Sequence, residues 1–320
     1  MTEQPNPSSI QVHQFAGLKP GPKLIVFGAV HGNEICGTIG IQRVIQELEN
    51  GSLVLERGTV TFVPIVNPLA YRLKQRNGDR NLNRNMRISS DPQDFEDKLS
   101  NVICPLLEAH DVLLDLHSFH TPGIPFALFG PEDNDGDLQP FVQAAKEESL
   151  ALQLGVNRFV EGWLETYAQG VRDRKARGAE AKIDYGVGTT ETMRSYGGMA
   201  ITLECGQHDD EQAPEIAYQA IRSTLSHLGL AAFDQKPLPP SDPEVICLHK
   251  VIDRLHPDDK FSREWKSFDE LKQGDLIAVR QDGSEIHAEK DGWIVFPNPT
   301  AQVDQEWFYL AKKSARLRNG

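Results

Sequence analysis

The sequence feature that most constrains the fold is a short apolar run that leads directly into a polar, glycine-containing turn. Residues 24–30, LIVFGAV, form a continuous apolar segment with β-branched residues, as in a strand buried on both faces of a sheet. The turn HGNE follows at 31–34, and apolar residues at helical spacing then extend from 35 to 48. A strand, a turn and a helix in this order are typical of an α/β protein.

The same alternation continues along the chain. Four further apolar runs are predicted as strands, at residues 59–67, 111–117, 126–130 and 199–205. Three segments are predicted as helices, at residues 92–109, 137–154 and 212–230. Pro105 lies inside the first of these helices, so we expect a break there or two short helices. Strands that alternate with helices predict a mostly parallel or mixed sheet with helices on both faces.

The character of the sequence changes after Phe233. Four prolines, at positions 237, 239, 240 and 243, make residues 234–243 a stiff extended linker. Beyond it, short apolar segments are separated by Asp-Gly and Pro-Asn turn signals, which is typical of a small all-β domain. We therefore expect a large α/β domain at 1–233, the linker at 234–243 and a β domain at 244–320.

Composition restricts the classes of partner. The 46 acidic and 33 basic side chains give a net charge of −13, which argues against nucleic acid or an anionic membrane as a partner. No apolar run approaches the roughly 20 residues of a membrane helix, and the N-terminus does not resemble a signal peptide, so a cytoplasmic location is expected. The four cysteines are widely spaced and are predicted to be reduced thiols rather than disulfides or zinc ligands.

Metal-ligand chemistry is indicated where two of the predicted strands end. His31 and Glu34 are three positions apart on the turn after the first strand, and His117 ends the strand that contains Asp115. Because the carboxyl ends of neighbouring parallel strands meet at one crevice, these side chains can converge. Two histidines and a glutamate with an open fourth position are a ligand set of catalytic zinc. A surface salt bridge for His31 and Glu34, and a core position for His117, are the alternatives.

A carboxylate near such a metal could act as a general base. Glu204 follows the apolar run of the strand predicted at 199–205 and precedes Gly206. A charge embedded in TLEC is costly to bury without a partner, and a water on zinc could be that partner. The alternative is a glutamate at the end of a strand that faces solvent.

A cluster of basic residues follows the second predicted strand. Residues 71–87 contain six cations against the single acid Asp79. The cations are Arg72, Lys74, Arg76, Arg80, Arg84 and Arg87. The segment lacks apolar periodicity and is rich in asparagine, which predicts an exposed loop suited to binding carboxylates. A solvated surface is the alternative for most of these side chains.

Four motifs in order resemble one known family. GAVHGNE, then NPLAYRLKQR with NLNR, then DLHS, then ITLECG are similar to motifs of the succinylglutamate desuccinylase and aspartoacylase family, which belongs to the zinc carboxypeptidase-like hydrolases. The resemblance implies that His31, Glu34 and His117 bind one zinc ion per chain, that Glu204 is the general base, and that the domain at 1–233 is the catalytic one.

The resemblance also implies roles in substrate binding. Arg76 would polarise the scissile amide carbonyl, Asn83 and Arg84 would hold a substrate carboxylate, Arg194 would bind a second carboxylate, and Tyr309 would close over the substrate. One position departs from the family pattern, because Asn81 occupies the place where relatives have an aspartate. Residues 155–192 match no motif and are expected to form walls of the pocket.

The sequence therefore predicts zinc-dependent hydrolysis of the amide bond of a small carboxylated N-acyl amino acid. Two alternatives stay open: a metallocarboxypeptidase acting on small peptides, and a non-catalytic zinc-containing protein that binds acyl-amino acids. The sequence does not distinguish a monomer from a homo-oligomer.

Overall fold

The computed structural model describes residues 5–233 and 239–316 and has an α/β architecture. Within these residues an eleven-stranded mixed sheet carries helices on both faces, and three short strands form a second sheet. The predicted fold class is confirmed. No helix in the two described stretches is both long and apolar enough to cross a membrane.

The strands and helices are numbered in chain order. The strands are β1 (His13–Ala16), β2 (Lys23–Phe27), β3 (Thr59–Val63), β4 (Val112–Phe119), β5 (Phe126–Leu128), β6 (Arg158–Glu161), β7 (Met199–Gln207), β8 (Glu244–Asp253), β9 (Lys260–Phe261), β10 (Glu270–Leu271), β11 (Leu276–Val279), β12 (Glu285–His287), β13 (Gly292–Val295) and β14 (Glu306–Lys313). The helices are α1 (Cys36–Glu49), α2 (Pro68–Leu73), α3 (Phe95–Glu108), α4 (Ala144–Ala151), α5 (Trp163–Ala176), α6 (Thr189–Ser195) and α7 (Ala213–His227), with a 3-10 helix at Ile183–Gly186.

The centre of the large sheet is parallel. Its strand order is β1-β3-β2-β4-β7-β5-β6-β8-β14-β13-β10, and β3, β2, β4 and β7 run in the same direction. Alternate side chains of β2 enter different cores: Leu24 and Val26 pack with residues of α1 and α7, whereas Ile25 and Phe27 pack with residues of α3 and α6. Burial on both faces explains the unbroken apolar run in the sequence.

One helix differs from the sequence prediction. The expected break at Pro105 is wrong, because α3 is a single continuous helix from Phe95 to Glu108. Pro105 lies three residues before the end of α3, so the missing amide removes one hydrogen bond near a helix end rather than in its middle. In addition, α5 occupies part of the segment 155–192, to which no motif could be assigned.

The chain beyond the proline-rich segment is rich in strands, as expected. Its first strand, β8, pairs in parallel with β6, and β14, β13 and β10 extend the same sheet. The separate sheet contains β9, β11 and β12. Residues 234–238 of the predicted linker lie outside the described residues, and the division of the chain into two domains stays a prediction.

Candidate active site and metal centre

The carboxyl ends of β2, β4 and β7 lie side by side and bring three sequence motifs together. β2 leads into the turn with His31 and Glu34, and His117 on β4 is directly opposite Glu204 on β7. The turn packs tightly on α2, since a Cβ atom added at Gly32 would lie 1.9 Å from the carbonyl carbon of Ala70. Glycine is therefore required between the strand and Glu34.

His31, Glu34 and His117 converge on one point. A ligand atom from each lies within 4.8 Å of the other two, and all three residues are at most 2% exposed. His31 Nδ1 lies 2.9 Å from Glu34 Oε1, and His117 Nδ1 lies 2.8 Å from Glu34 Oε2. The three predicted ligands thus form one buried cluster.

The partners of the outer ring nitrogens determine which nitrogens could bind a metal. The Asn83 amide N–H donates to Asn81 Oδ1 (2.9 Å), which identifies this atom as the oxygen, so His31 Nε2 at 3.0 Å must donate to it. On the other ring, His117 Nε2 lies 2.9 Å from the buried carboxylate oxygen Asp115 Oδ2. A proton on His31 Nε2 leaves the lone pair on His31 Nδ1, 2.9 Å from Glu34 Oε1, whereas His117 forms its hydrogen bond with Glu34 Oε2 through Nδ1. Two acceptors as close as His31 Nδ1 and Glu34 Oε1 require a proton or a metal ion between them.

The ionisation of the cluster agrees with this requirement. Burial and the nearby Arg76 lower the pKa of His31 to about 4, so this ring is neutral, as a metal ligand must be. Burial alone would lower the pKa of His117, but Asp115 and Glu34 raise it well above the ordinary histidine value. Burial would raise the pKa of Glu34, but the two histidines lower it well below the usual range. The buried carboxylates therefore favour a positive charge here, either a proton or a metal ion.

This donor set fits a zinc ion. Two neutral imidazole nitrogens and one carboxylate are the protein ligands of one class of catalytic zinc site. Asp115 and Asn81 orient the rings from behind, as oxygen acceptors do in metal sites. The two acceptors differ in charge, since Asp115 is an acid and Asn81 a neutral amide.

Glu204 provides an acceptor beside this cluster. It is 9% exposed and lines the same cleft as His31 and His117. Within the described residues its Oε2 atom is buried and has no hydrogen-bond partner. Burial raises the pKa of Glu204 to about 8. At neutral pH a carboxyl group with this pKa is mostly protonated, so it takes a proton from a reacting group only in its ionised form, which a positive charge bound in the cleft favours.

Arg76 lies at the open side of the cluster. Its Nη1 atom donates to Glu34 Oε1 at 2.7 Å, and the side chain is 49% exposed. Its guanidinium therefore combines a contact to a ligand carboxylate with access to the cleft, where it can donate hydrogen bonds to an oxyanion.

Asn83 and Arg84 continue the same loop and also line the cleft. Asn83 Oδ1 accepts from the Thr189 amide N–H at 2.9 Å, so the side-chain NH₂ of Asn83 is left for other acceptors. The Arg84 guanidinium lies over the Trp163 ring, 4.8 Å from its centroid, and Nη1 donates to Asn83 O. Both residues thus offer N–H donors to a ligand.

Not all cations of the basic cluster are available for a ligand. Arg80 Nε donates to Asp94 and Nη2 donates to Asp97, each at 2.8 Å. Arg72 Nη1 donates to the carbonyl oxygen of Pro5. For these two residues a structural role describes the contacts better than substrate binding, whereas Arg76 and Arg84 face the cleft.

Arg194 is placed differently from Arg84. It is 5% exposed, and its Nε and Nη2 atoms donate to the buried Glu147 at 3.0 Å each. Its Nη1 atom lies 3.8 Å from Glu191 Oε1, beyond hydrogen-bond distance. Arg194 borders the cleft, so only this one nitrogen is left for the predicted contact with a substrate carboxylate.

Tyr309 on β14 borders the cleft from the C-terminal part of the chain. It is 4% exposed and packs against Trp163, with ring centroids 5.4 Å apart. No residue in the described stretches forms a hydrogen bond with its hydroxyl group. Burial raises the pKa of Tyr309 well above the ordinary tyrosine value, so the hydroxyl keeps its proton and can donate it to a ligand.

Three residues that sequence reasoning did not select belong to the same network. Thr189 donates through Oγ1 to Asp115 Oδ2 at 2.5 Å and through its amide to Asn83, which links β4 to the loop. Ser118 Oγ lies 2.9 Å from His208 Nδ1 at the wall of the cleft. Thr189 lies in the segment 155–192, to which no motif was assigned, and this was the one available signal for it, whereas no spacing distinguished Ser118 and His208.

The cleft itself has a volume of about 1390 Å³. Its walls come from the basic loop, from α5 and the 3-10 helix, and from C-terminal residues that include Phe296 and Glu306. Part of the segment 155–192 therefore forms a wall of the pocket, as its lack of a motif led us to expect.

Comparison with known protein families gives a match over the part of the chain that contains the metal-ligand cluster. Residues 20–153 match the family model described as the succinylglutamate desuccinylase/aspartoacylase catalytic domain, and this stretch contains His31, Glu34 and His117. The predicted family resemblance is confirmed. The family consists of hydrolases. Among curated proteins, none matches the chain.

Solved structures show the same fold over nearly the whole chain. An aspartoacylase family protein from Mesorhizobium loti has 24% identity and a TM-score of 0.66, covering 96% of this chain and 90% of its own. A succinylglutamate desuccinylase/aspartoacylase from Rhodobacter sphaeroides has 18% identity and a TM-score of 0.69, covering 95% and 90%. A succinylglutamate desuccinylase from Vibrio cholerae has 18% identity and a TM-score of 0.70, covering 94% and 85%.

Proposed function

We propose that this protein is a zinc-dependent amidohydrolase that cleaves the acyl-amide bond of a small carboxylated N-acyl amino acid, releasing a carboxylate and a free amine. The observation that carries the proposal is the buried convergence of His31, Glu34 and His117 beside the unpartnered carboxylate of Glu204. The match of residues 20–153 to a hydrolase catalytic domain supports the same chemistry.

His31 Nδ1, Glu34 and His117 Nδ1 would hold the zinc ion. When bound, zinc supplies a Lewis acid for the substrate carbonyl and lowers the pKa of water. Asp115 and Asn81 would keep the two imidazole rings in the orientation that binding requires, since each lies at hydrogen-bond distance from an Nε2 atom.

Glu204 would move the proton. Its Oε2 atom is buried without a hydrogen-bond partner, and the residue lines the cleft next to His117 on the neighbouring strand, so it can accept a proton from the attacking water. The same carboxyl group can then give that proton to the leaving nitrogen, which must be protonated for the amide bond to break.

Arg76 would stabilise negative charge that develops on the substrate oxygen. Its guanidinium contacts Glu34 at 2.7 Å and is half exposed to the cleft. A charged donor placed next to the carbonyl stabilises the tetrahedral transition state more than the ground state, because the negative charge is larger in the transition state.

The substrate carboxylate would bind to the loop that contains Asn83 and Arg84. The Asn83 side-chain NH₂ and the Arg84 guanidinium are donors at the cleft, and carboxylate is the acceptor that such a pair fits. Arg194 Nη1 and the Tyr309 hydroxyl are further donors at the same wall. A local excess of donors in a protein of charge −13 is consistent with a small anionic substrate rather than a polyanion.

The size of the cleft favours a second class of substrate, small peptides. The cleft volume of about 1390 Å³ exceeds the roughly 300–1,000 Å³ of typical small-molecule pockets. A carboxypeptidase acting on small peptides would use the same metal and base and would need the additional space.

A combined metal and activity assay tests the proposal. The protein is analysed for zinc and then assayed with N-acyl-aspartates, N-succinylglutamate and a set of dipeptides, with and without a chelator. We expect one zinc per chain and chelator-sensitive turnover of an acyl-amino acid. Faster turnover of dipeptides would favour the carboxypeptidase, zinc without any turnover would favour a non-catalytic binding protein, and full activity without zinc would contradict the proposal.

A further inference from the structure

The loop that carries the proposed substrate-binding groups is held by one buried carboxylate remote from the reacting atoms. Residues 74–88 contain Arg76, Asn81, Asn83 and Arg84 but form no strand and no helix. Some amides of this loop bond to backbone carbonyls, as those of Asn85 and Met86 do, and others bond to side chains.

Glu96, in the first turn of α3, provides these contacts. It is fully buried, with 0% exposure. Its Oε1 atom accepts from the Gly78 amide and its Oε2 atom accepts from the amides of Asp79 and Arg80, all at 3.1 Å. Three consecutive backbone N–H groups thus converge on a single carboxylate, in an arrangement that resembles an anion-binding nest.

A fourth contact ties the same carboxylate to the metal-ligand turn. The Asn67 side-chain NH₂ donates to Glu96 Oε1 at 2.9 Å, and the Asn67 backbone N–H donates to Ala29 O, just before His31. Asn67 is also fully buried. Glu96 therefore contacts the loop directly and the metal-ligand turn through Asn67.

Two loop residues, Asp79 and Arg80, in turn contact the start of α3 through their side chains. Asp79 Oδ2 accepts from the Phe95 amide at 2.9 Å, and the Arg80 guanidinium binds Asp94 and Asp97. Arg80 also donates through Nη1 to the carbonyl oxygens of Asn81 and Arg84. The segment between Arg76 and Arg84 is therefore attached to the start of α3 in two ways. Its side chains at Asp79 and Arg80 bond to α3, and its amides bond to the buried Glu96.

We propose that Glu96 is a positioning residue that sets the place of Arg76 and Arg84 in the cleft. The inference rests on the proposed function, because it assigns Arg76 and Arg84 to substrate and transition state. Glu96 lies outside the cleft lining and acts on the loop through the three amides, with Asn67 as its further contact. Because Arg76 is two residues before Gly78, and Arg84 is four residues after Arg80, a shift of these amides moves both guanidinium groups.

The main test is a double-mutant cycle on the zinc-loaded full chain, with the acyl-amino acid that the wild type turns over. Glu96→Gln keeps the size of the side chain but places an NH₂ group against backbone donors. We expect kcat to fall by about 10- to 100-fold, as for a displacement of roughly 1 Å. In the Arg76→Ala background the same change should lower kcat by less than about 3-fold, because its effect on kcat acts through Arg76, whereas displacement of Arg84 changes KM. Equal losses in both backgrounds would overturn the proposal.

Asp259 provides a matched control. It is 2% exposed and accepts from three backbone amides, those of Leu255, His256 and Gln281, as Glu96 does, with Arg280 in place of Asn67 as the fourth contact. It does not line the cleft. Asp259→Asn should lower the melting temperature but leave kcat within about 2-fold of wild type. A comparable loss of kcat in this variant would show that removing the charge of any buried carboxylate lowers kcat, which would overturn the specific role of Glu96.

Two further measurements keep the proposal testable if Glu96→Gln does not fold or if the panel contains no substrate. In Gly78→Ala the new Cβ atom would lie 2.4 Å from Glu96 Oε1, so the loop must move although the charge is kept, and kcat should fall similarly. Hydrogen exchange needs no substrate: amides 78–80 should exchange at least about 10-fold faster in Gly78→Ala and Glu96→Gln than in wild type and Asp259→Asn. Unchanged exchange would overturn the positioning role, whereas absent wild-type turnover would count only against the proposed function.

Discussion

The site combines two kinds of support. His117 and Glu204 lie on adjacent parallel strands, β4 and β7, where backbone pairing places them directly opposite each other. Arg76, Asn83 and Arg84 lie on an irregular loop whose shape depends on Glu96 and on the Thr189 amide. Strand pairing fixes position through the backbone, whereas the loop depends on individual side chains. Substitutions near the two regions should therefore have different consequences.

The largest expected effect is on the strand side of the site. Glu204→Gln removes the proton acceptor but alters neither the pairing of β7 nor any of the proposed zinc ligands. We expect kcat to fall by roughly 10³- to 10⁴-fold, the upper part of the range for general acid–base catalysis, with zinc content unchanged. Kinetics together with elemental analysis check this. Turnover near wild type would exclude Glu204 as the base.

The loop side should show a somewhat smaller effect. Arg76→Ala removes a charged donor near the substrate carbonyl, and loss of such a donor costs about 10²- to 10³-fold in kcat. Arg76→Lys keeps the charge but not the fork geometry, so it should recover only part of the loss. If Arg76→Ala raised KM and left kcat unchanged, the residue would serve in binding rather than in transition-state stabilisation.

The two acceptors behind the histidines allow a direct comparison of strand and loop. Asp115 is a buried acid on β4, and Asn81 is a neutral amide on the loop. Asp115→Asn should weaken zinc binding by about 10- to 100-fold. Asn81→Ala should weaken it less, since no charge is lost. Competition with a chromophoric chelator measures both values, and a larger loss for Asn81→Ala would contradict the assignment.

The smallest effect is expected far from the site, on β8. Burial, with Lys290 and Lys312, lowers the pKa of His249 to about 4. The unfolded chain, with a histidine pKa near 6.5, then binds more protons than the folded chain, so stability falls as the pH decreases from about 6.5 to about 4. His249→Gln should flatten this part of the pH dependence without affecting kcat. The free energy of unfolding of wild type and variant, measured by denaturation between pH 7 and 4, checks this prediction. If the variant showed the same dependence of this free energy on pH as the wild type, the lowered pKa of His249 would be contradicted.

The same contrast explains what could be predicted from the sequence. His31, Glu34, His117 and Glu204 follow apolar strands, and in a parallel sheet strand ends converge, so their proximity could be predicted. Glu96 could not be identified, because nothing in a helix start rich in acids indicates which carboxylate is buried against a loop.

Contacts between residues far apart in the chain could not be predicted from the sequence either. The pairing of Arg194 with Glu147 joins residues far apart in the chain, and no local pattern reveals such a contact. The continuity of α3 through Pro105 depends on how near the proline lies to the end of the helix, and helix ends are the least certain feature of a sequence-based prediction.

The central claim is that His31, Glu34 and His117 form a zinc centre through the Nδ1 atoms of both histidines. Anomalous diffraction at the zinc edge from crystals of the zinc-loaded protein tests it most directly. We predict one strong peak per chain, within about 2.0–2.2 Å of His31 Nδ1, His117 Nδ1 and a Glu34 oxygen. A peak at other residues, coordination through the Nε2 atoms, or no peak after loading with zinc would contradict the claim.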